Sequence, residues 1–477
     1  MCHVLKSNPL TYGTIIVASG VSANDGVKKF VFGNNDHPAA SPKNRFSSPD
    51  IPKNALRQVR YCTAKLQSSG SVLNAKVKMF LRLLIWCCLV LCYVECNGGK
   101  RLMCYFSSNS PKGRGYGRYT ANEVPVQLCT DVIYRGIGFP EWKRGSYAFN
   151  SEEIQRLGAF IYTIKSRSSA VRTHVTVLQR GIATPSYSIM AEIPERRRAF
   201  AKAILELLEQ YGINGVEIAW EWPGSTVKFG GISGDRESLI SLLTDVRAGL
   251  KSRNKEFLFF GAIYPKVLRE SYRVTSICQL VDFVTLFTFD LRPHTNNVAD
   301  VHSPMRNRSF ETEADRAKAN VVDGVETWID FGCPPKKLIL GIGLFGQAHT
   351  LANPAVYSVG APTVGPGAEG QYYYEGYYPY HELCLLIRSG WNIFYDTVAQ
   401  MPFAVRGNQW MSYENTNSIG VKMDFVREKR LGGVILQHVD YDDFRGFCGS
   451  QNPLTNYISQ RLKQIPSDIG FAIEWNK

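Results

Sequence analysis

The sequence predicts an α/β fold, a (β/α)8 TIM barrel with a small α+β insertion domain between strands seven and eight. Three observations predict it. From residue 100 onward, eight short apolar runs rich in β-branched and aromatic residues recur. Stretches of helical period separate them. One connection is too long to be a plain loop. Eight parallel strands alternating with helices argue for a closed barrel rather than an open sheet.

The strands expected, in chain order, are Leu102–Ser107, Val132–Ile137, His174–Leu178, Gly215–Trp220, Phe257–Ile263, Phe283–Phe289, Leu338–Leu344 and Gly433–Val439. Their near-continuous apolar character fits parallel strands covered by helices. Helical segments between them include Glu195–Tyr211 and Arg236–Ser252. Between strands seven and eight lie roughly ninety residues, Phe345 to Leu431, a length that calls for a folded insertion. That stretch is rich in Gly and Tyr, with Tyr372, Tyr373, Tyr374, Tyr377, Tyr378 and Tyr380. The barrel is therefore assigned to 97–345 and 426–477, and the insertion to 346–425. No further module is expected after the eighth strand.

The first 96 residues read differently. Residues 1–78 have no sustained period and are expected to be a disordered leader or an extension that is not part of the natural product. At 79–96, Met79 and Arg82 precede an apolar run from Leu83 to Val94, with Lys76 and Lys78 just before it. Val94 and Cys96 stand at −3 and −1 of a cleavage before Asn97. This is the layout of a secretory signal peptide, and the run is shorter than the ~20 residues a membrane span needs. The chain is thus expected to be secreted, with no membrane span.

Charge and cysteine content agree. The formal net charge is +14, but residues 1–96 hold twelve Lys and Arg against four Asp and Glu, so +8 lies there and +6 remains. No dense basic stripe interleaved with aromatics is present, so nucleic acid is not an expected partner. Of twelve cysteines, Cys2, Cys62, Cys87, Cys88, Cys92 and Cys96 precede residue 97, and Cys104, Cys129, Cys278, Cys333, Cys384 and Cys448 follow it. An even number suits an oxidising compartment. With no CxxC pair in that region, no zinc site is expected, and no other metal or cofactor is implied. Asn307-Arg308-Ser309 is a sequon for N-glycosylation at Asn307.

The chemistry sits at the end of strand four, Gly212-Ile213-Asn214-Gly215-Val216-Glu217-Ile218-Ala219-Trp220-Glu221-Trp222-Pro223-Gly224. Side chains alternate along a strand, so Glu217, Ala219 and Glu221 share the inner face. Reactive groups of such barrels sit at the C-terminal strand ends. Two carboxylates there are costly unless paired or functional.

This stretch, N-G-V-E-I-A-W-E-W-P-G, resembles the strand-four motif D-G-x-D-x-D-W-E-Y-P-G of glycoside hydrolase family 18, the chitinases and chitinase-like lectins. Further matches are Met103-Cys104-Tyr105-Phe106, Leu128-Cys129-Thr130, Ile133-Tyr134, Thr288-Phe289-Asp290, His302-Ser303-Pro304, Gly341-Ile342-Gly343, Gly407-Asn408-Gln409-Trp410 and Asp442-Asp443-Phe444. The resemblance covers about residues 100–462. It implies disulfides Cys104–Cys129 and Cys384–Cys448, and leaves Cys278 and Cys333 either as a third pair or as two buried thiols.

The resemblance also implies a mechanism. In that family a Glu protonates the glycosidic oxygen and the substrate's acetamido oxygen attacks the anomeric carbon, outside the usual two-carboxylate scheme. An Asp two residues before the Glu orients the acetamide, a strand-six Tyr hydroxyl holds it, and a strand-eight Trp floors the sugar. Carried over, the acid is Glu221, and Asp290 is retained. The orienting Asp is Ala219, the inner Asp is Glu217, the first Asp is Asn214, the Tyr is Phe289 and the Trp is Gln437. Losing one positioned group typically costs on the order of 10²–10³ in rate, so a chain lacking three is expected to be impaired. Glu217 is the carboxylate left to stand in, or, paired with Arg180 of strand three, a purely structural group. For sugar contacts the candidates are Trp142, Tyr147, Trp220, Trp222, Phe289, Trp410 and Gln437, with Trp410 as a cleft wall and Trp220 equally a core residue. Where the family has a cleft Trp, this chain reads Leu291-Arg292-Pro293-His294, so Arg292 and Gln437 are candidates for selecting an anionic or shorter ligand.

The expectation is a secreted, impaired chitinase-like protein that binds N-acetylglucosamine-containing glycans or a protein partner. The alternatives are a weak chitinase using Glu221, and a growth-factor-like protein with a vestigial cleft.

Overall fold

The computed structural model describes residues 99–113, 115–178, 186–224, 231–293, 296–313, 318–371 and 376–466. The leader and signal segments lie outside the described residues, as do Arg180, His294 and Tyr372–Tyr374.

Sixteen strands are described: β1 Arg101–Ser107, β2 Asp131–Gly138, β3 Glu141–Lys143, β4 Ser146–Ala148, β5 Arg172–Leu178, β6 Gly215–Ala219, β7 Glu256–Ala262, β8 Phe283–Phe287, β9 Leu338–Gly343, β10 Phe345–Leu351, β11 Thr363–Pro366, β12 Tyr377–Pro379, β13 Asn392–Asp396, β14 Met401–Arg406, β15 Gln409–Ser412 and β16 Gly433–Gln437. Eight of them close a barrel in the order β1-β16-β9-β8-β7-β6-β5-β2. Each expected strand is one of these eight, to within two residues at its ends. The expected helices appear as Pro194–Gln210 and Asp235–Lys251.

Two kinds of core follow from the period-two alternation. Outward-facing Val132, Val175, Ile218, Phe259 and Leu340 pack under the helices in one large apolar cluster. Inside the barrel, Met103, Tyr105, Ile133, Leu258, Ile339 and Ile435 form a separate small plug. At the N-terminal end of the strands, Arg101 donates to Asp131 and Glu256, and Asp131 also meets Arg172 and His174. Polar rings thus lie on both sides of the apolar plug, and the upper one carries the site.

The stretch between β9 and β16 is a folded insertion. Its antiparallel sheet runs β11-β10-β15-β14-β13, with β12 on β10. β10 begins at Phe345, and the helix Thr416–Glu428 crosses the expected boundary at 425 and packs on the helix Pro453–Gln464. Among the described residues three disulfides are present, Cys104–Cys129, Cys278–Cys333 and Cys384–Cys448, so Cys278 and Cys333 are a pair and not two thiols. Among the described residues, no helix is long and apolar enough to cross a membrane.

Candidate active site

β6 is buried along its whole length, and its alternation sends Val216, Ile218 and Trp220 to the helices. Trp220 stacks on Tyr187 at 5.3 Å and 11°, so it is a core residue. Glu217 and Ala219 face the barrel axis. Glu217 accepts hydrogen bonds at 2.5 Å from Tyr105 Oη, Thr176 Oγ1 and Thr285 Oγ1. Its second oxygen lies 3.7 Å from Arg135 Nη1. Four strands thus compensate one buried carboxylate, as a buried charge requires. Burial, followed by the Glu217 charge, pushes the Tyr105 hydroxyl well above its ordinary value, so it stays a donor.

Arg135 is the centre of the arrangement. Its guanidinium lies between the rings of Tyr105 and Phe260, at 4.7 and 4.4 Å. Nη2 stands 3.5 Å from Glu221 Oε1, so one cation bridges the two strand-four glutamates. The Glu221 side chain is 29% exposed and the Arg135 side chain 10%. The Glu217 cation described here therefore comes from β2, and Arg180 lies outside the described residues. Arg135 was legible in principle: alternation from Ile133 places it inward, and a lone Arg on an otherwise apolar inner face needs a partner.

Around the mouth, Ala219 offers a methyl group and Phe289 a ring without a hydroxyl. Phe289 lies so close over Gly341 that a Cβ there would sit 2.7 Å from its ring, which explains the glycine. Asp290 accepts from Gln347 Nε2 and Tyr377 Oη, each at 2.9 Å. Asp290, Phe289, Phe287 and Gln437 line a pocket of about 100 Å³, together with Phe345, Tyr377, Tyr441 and His438. Burial, then the Arg135 charge, pushes the His438 imidazole down to about 3, so it is neutral.

The aromatic candidates separate. Trp222 is buried, packs on Phe260 and Phe287, each at 6.1 Å, and is not among the residues lining the pocket. Trp142 sits on the β3–β4 hairpin against Tyr147, with the Arg196 guanidinium 5.3 Å over its ring, and does not line the pocket. Trp410 corrects an expectation. It is 0% exposed, stacks on Phe403 at 5.0 Å and donates Nε1–H to Tyr357 O inside the insertion, so it walls no cleft. Arg292 is a second correction. It is 1% exposed and held by Glu311, Asp300 and the Ala319 carbonyl, so it selects no ligand.

Among the described residues, two groups of side chains have metal-ligand spacing, and neither fits a metal. Asp131, His174 and Glu256 converge, but Arg101 donates to both carboxylates in that space. Cys384 and Cys448 beside Asp443 are oxidised to a disulfide. Asn307 of the sequon is exposed.

The family model described as glycosyl hydrolases family 18 matches residues 101–442. The endochitinase of Manduca sexta is 30% identical over 381 residues, which make up 77% of this chain and 68% of the endochitinase. Chitinase-3-like protein 2 of Homo sapiens is 25% identical over 374 residues, 76% of this chain and 92% of that protein. Among solved structures, the group IV chitinase of Ostrinia furnacalis superposes with a TM-score of 0.72 at 26% identity, over 76% of this chain and 100% of the other.

Proposed function

The chain belongs to glycosyl hydrolase family 18, and from that membership we propose a chitinase-like protein that recognises N-acetylglucosamine-containing glycans, chitooligosaccharides, at its barrel mouth without hydrolysing them. The observation that carries this reading is Arg135. A general acid must arrive protonated, and the carboxylate in that place, Glu221, has a guanidinium 3.5 Å away. The side chains at 219 and 289 add to it. Neither carries a polar group, so nothing at these positions stabilises a developing charge or holds an acetamide. Each such loss typically costs on the order of 10²–10³ in rate, although the losses need not multiply. Gln437 remains as a sugar contact, with Phe289 as an apolar floor.

Secretion belongs to the same proposal. Three disulfides, an exposed sequon at Asn307 and the signal-like segment at 79–96 all suit an oxidising, extracellular setting. A protein partner is compatible with it. The second reading, a weak chitinase with Glu221 as acid, draws on the partial exposure of that side chain at the mouth.

The test is turnover and binding of chitooligosaccharides by the purified protein, beside Glu221→Gln and the double repair Ala219→Asp with Phe289→Tyr. Saturable binding without product supports recognition. Product release that disappears in Glu221→Gln would overturn it in favour of the enzyme. Neither binding nor product would leave a protein-partner role.

A further inference from the structure

The insertion sheet ends in two edge strands, and they are finished differently. On the β11 edge, Thr363 N–H donates to Asn297 O and Val298 bridges to Pro362, so a neighbouring segment covers part of it. On the other edge stands β13, Asn392–Asp396, which among the described strands pairs with β14 alone. We propose that this open edge is a self-association surface, on which β13 of a second copy of this chain pairs antiparallel about Phe394. The proposal is independent of what the barrel mouth binds.

The backbone comes first. Tyr413 N–H donates to Pro402 O, so the polar groups of residue 402 face β15 and those of Phe403 face β13. Phe403 stands opposite Phe394. Hydrogen-bonded and non-bonded pairs alternate along an antiparallel ladder. Phe394 therefore turns its N–H and C=O to β14, while Ile393 and Tyr395 turn theirs outward. Among the described residues nothing meets those outward groups. Such a row is a template for another strand.

The side chains come second. Ile393 and Tyr395 share one face and are 58% and 37% exposed. Edges of this kind are commonly guarded by a Lys, a Pro or a bulge. β13 reads Asn-Ile-Phe-Tyr-Asp and keeps an unshifted register on β14, so it has none of them. Its one charge, Asp396, lies 3.5 Å from Arg308 and accepts from the N–H groups of Val398 and Ala399. Apolar surface continues past the strand, because Val398 is exposed and so is Tyr357, whose ring lies 5.3 Å from that of Phe394.

Symmetry identifies the occupant. A two-fold axis at Phe394 brings the outward groups of Ile393 onto those of Tyr395 in the other copy, which can exchange N–H and C=O on each side of the axis. It sets a β-branched side chain opposite an aromatic one, a favourable cross-strand pair. Asp396 falls opposite Asn392, so no like charges meet. Phe394 falls opposite itself. Its ring stacks on Phe403 at 5.2 Å, and Phe403 stacks on Trp410 at 5.0 Å. This row of rings crosses β15, β14 and β13 and stops at the open edge, where a second copy continues it with the same rings. The contact is isologous, the commonest kind in oligomers. A short strand with two flanking side chains is a small interface, so the dimer is expected to be reversible.

The experiment is sedimentation velocity of the full chain as a function of concentration. The weight-average sedimentation coefficient should rise from monomer to dimer and stop there, since a two-fold contact closes on itself. Ile393→Pro removes an outward donor and leaves the β13–β14 hydrogen bonds in place, a position where an edge strand tolerates proline. Ile393→Lys places a charge on the same edge without altering the backbone. Each variant should weaken dimerisation by at least about tenfold. Val364→Lys, at an exposed apolar residue of the opposite edge strand, should leave it unchanged. A parent that stays monomeric at every concentration overturns the proposal and leaves the edge to an extended segment of another protein. Association that grows beyond a dimer, that survives both Ile393 variants, or that Val364→Lys weakens equally also overturns it.

Discussion

Replacing Arg135 by Met tests the central claim about the mouth. Met keeps the apolar stem between Tyr105 and Phe260 and deletes the guanidinium that lies 3.7 Å from Glu217 and 3.5 Å from Glu221. Removing one partner of a buried ion pair typically costs about 3–5 kcal/mol, because the other charge stays buried. Glu217 keeps three hydroxyl donors and Glu221 is partly solvated. The low end, about 3 kcal/mol, is therefore expected. Urea unfolding at pH 7 measures it. The sharper readout is a double-mutant cycle with Glu217→Gln, since residues in contact couple by roughly 0.5–3 kcal/mol. The double variant should recover part of the loss, because a neutral amide no longer needs the cation. An Arg135→Met protein within about 0.5 kcal/mol of the parent, the range of ordinary surface changes, would refute the reasoning. So would strictly additive single effects.

Other outcomes follow from the same contacts. Trp410→Ala should destabilise the insertion by roughly 3–5 kcal/mol, the cost of emptying a large aromatic site, with a change in chitooligosaccharide affinity no larger than the unfolding explains; a selective loss of affinity in a fully folded variant would return Trp410 to the cleft. Asp440 is buried, accepts from Ser110 Oγ at 2.7 Å, and burial pushes its carboxyl up to about 7. Because the native state holds this proton and the unfolded chain releases it near pH 4, its contribution is present at low pH and is lost as pH rises toward 7. Unfolding free energy measured from pH 4 to 7 should fall less steeply in Asp440→Asn, and an unchanged slope would show that this carboxyl is already ionised in the fold.

Much of the molecule was legible in the sequence because its signals are local. Eight apolar runs and their spacing were enough for the barrel, since a parallel strand is apolar on both faces. The strand-four alternation placed Glu217 and Ala219 inward correctly. What escaped were relations between distant strands. Arg135 lies 82 residues before Glu217, and nothing in either segment names the other. Tyr105, Thr176 and Thr285 read as ordinary strand formers, and only the closure of the barrel turns them on one carboxylate. Trp410 misled for the opposite reason. A motif match marks a position in the chain and does not say which face of the sheet the ring takes.

The bridge that Arg135 makes also bears on how this chain can change. Placing an acidic residue at 219 would add a carboxylate to a mouth whose guanidinium is already shared by two glutamates. The new carboxylate would enter a charge cluster and not a proton relay. On the recognition reading, a hydrolytic mouth would call for a different residue at 135 as well, yet replacing Arg135 alone strands Glu217 in a buried site at a cost in stability. The arginine thus ties the stability of the barrel interior at Glu217 to the charge of the mouth at Glu221.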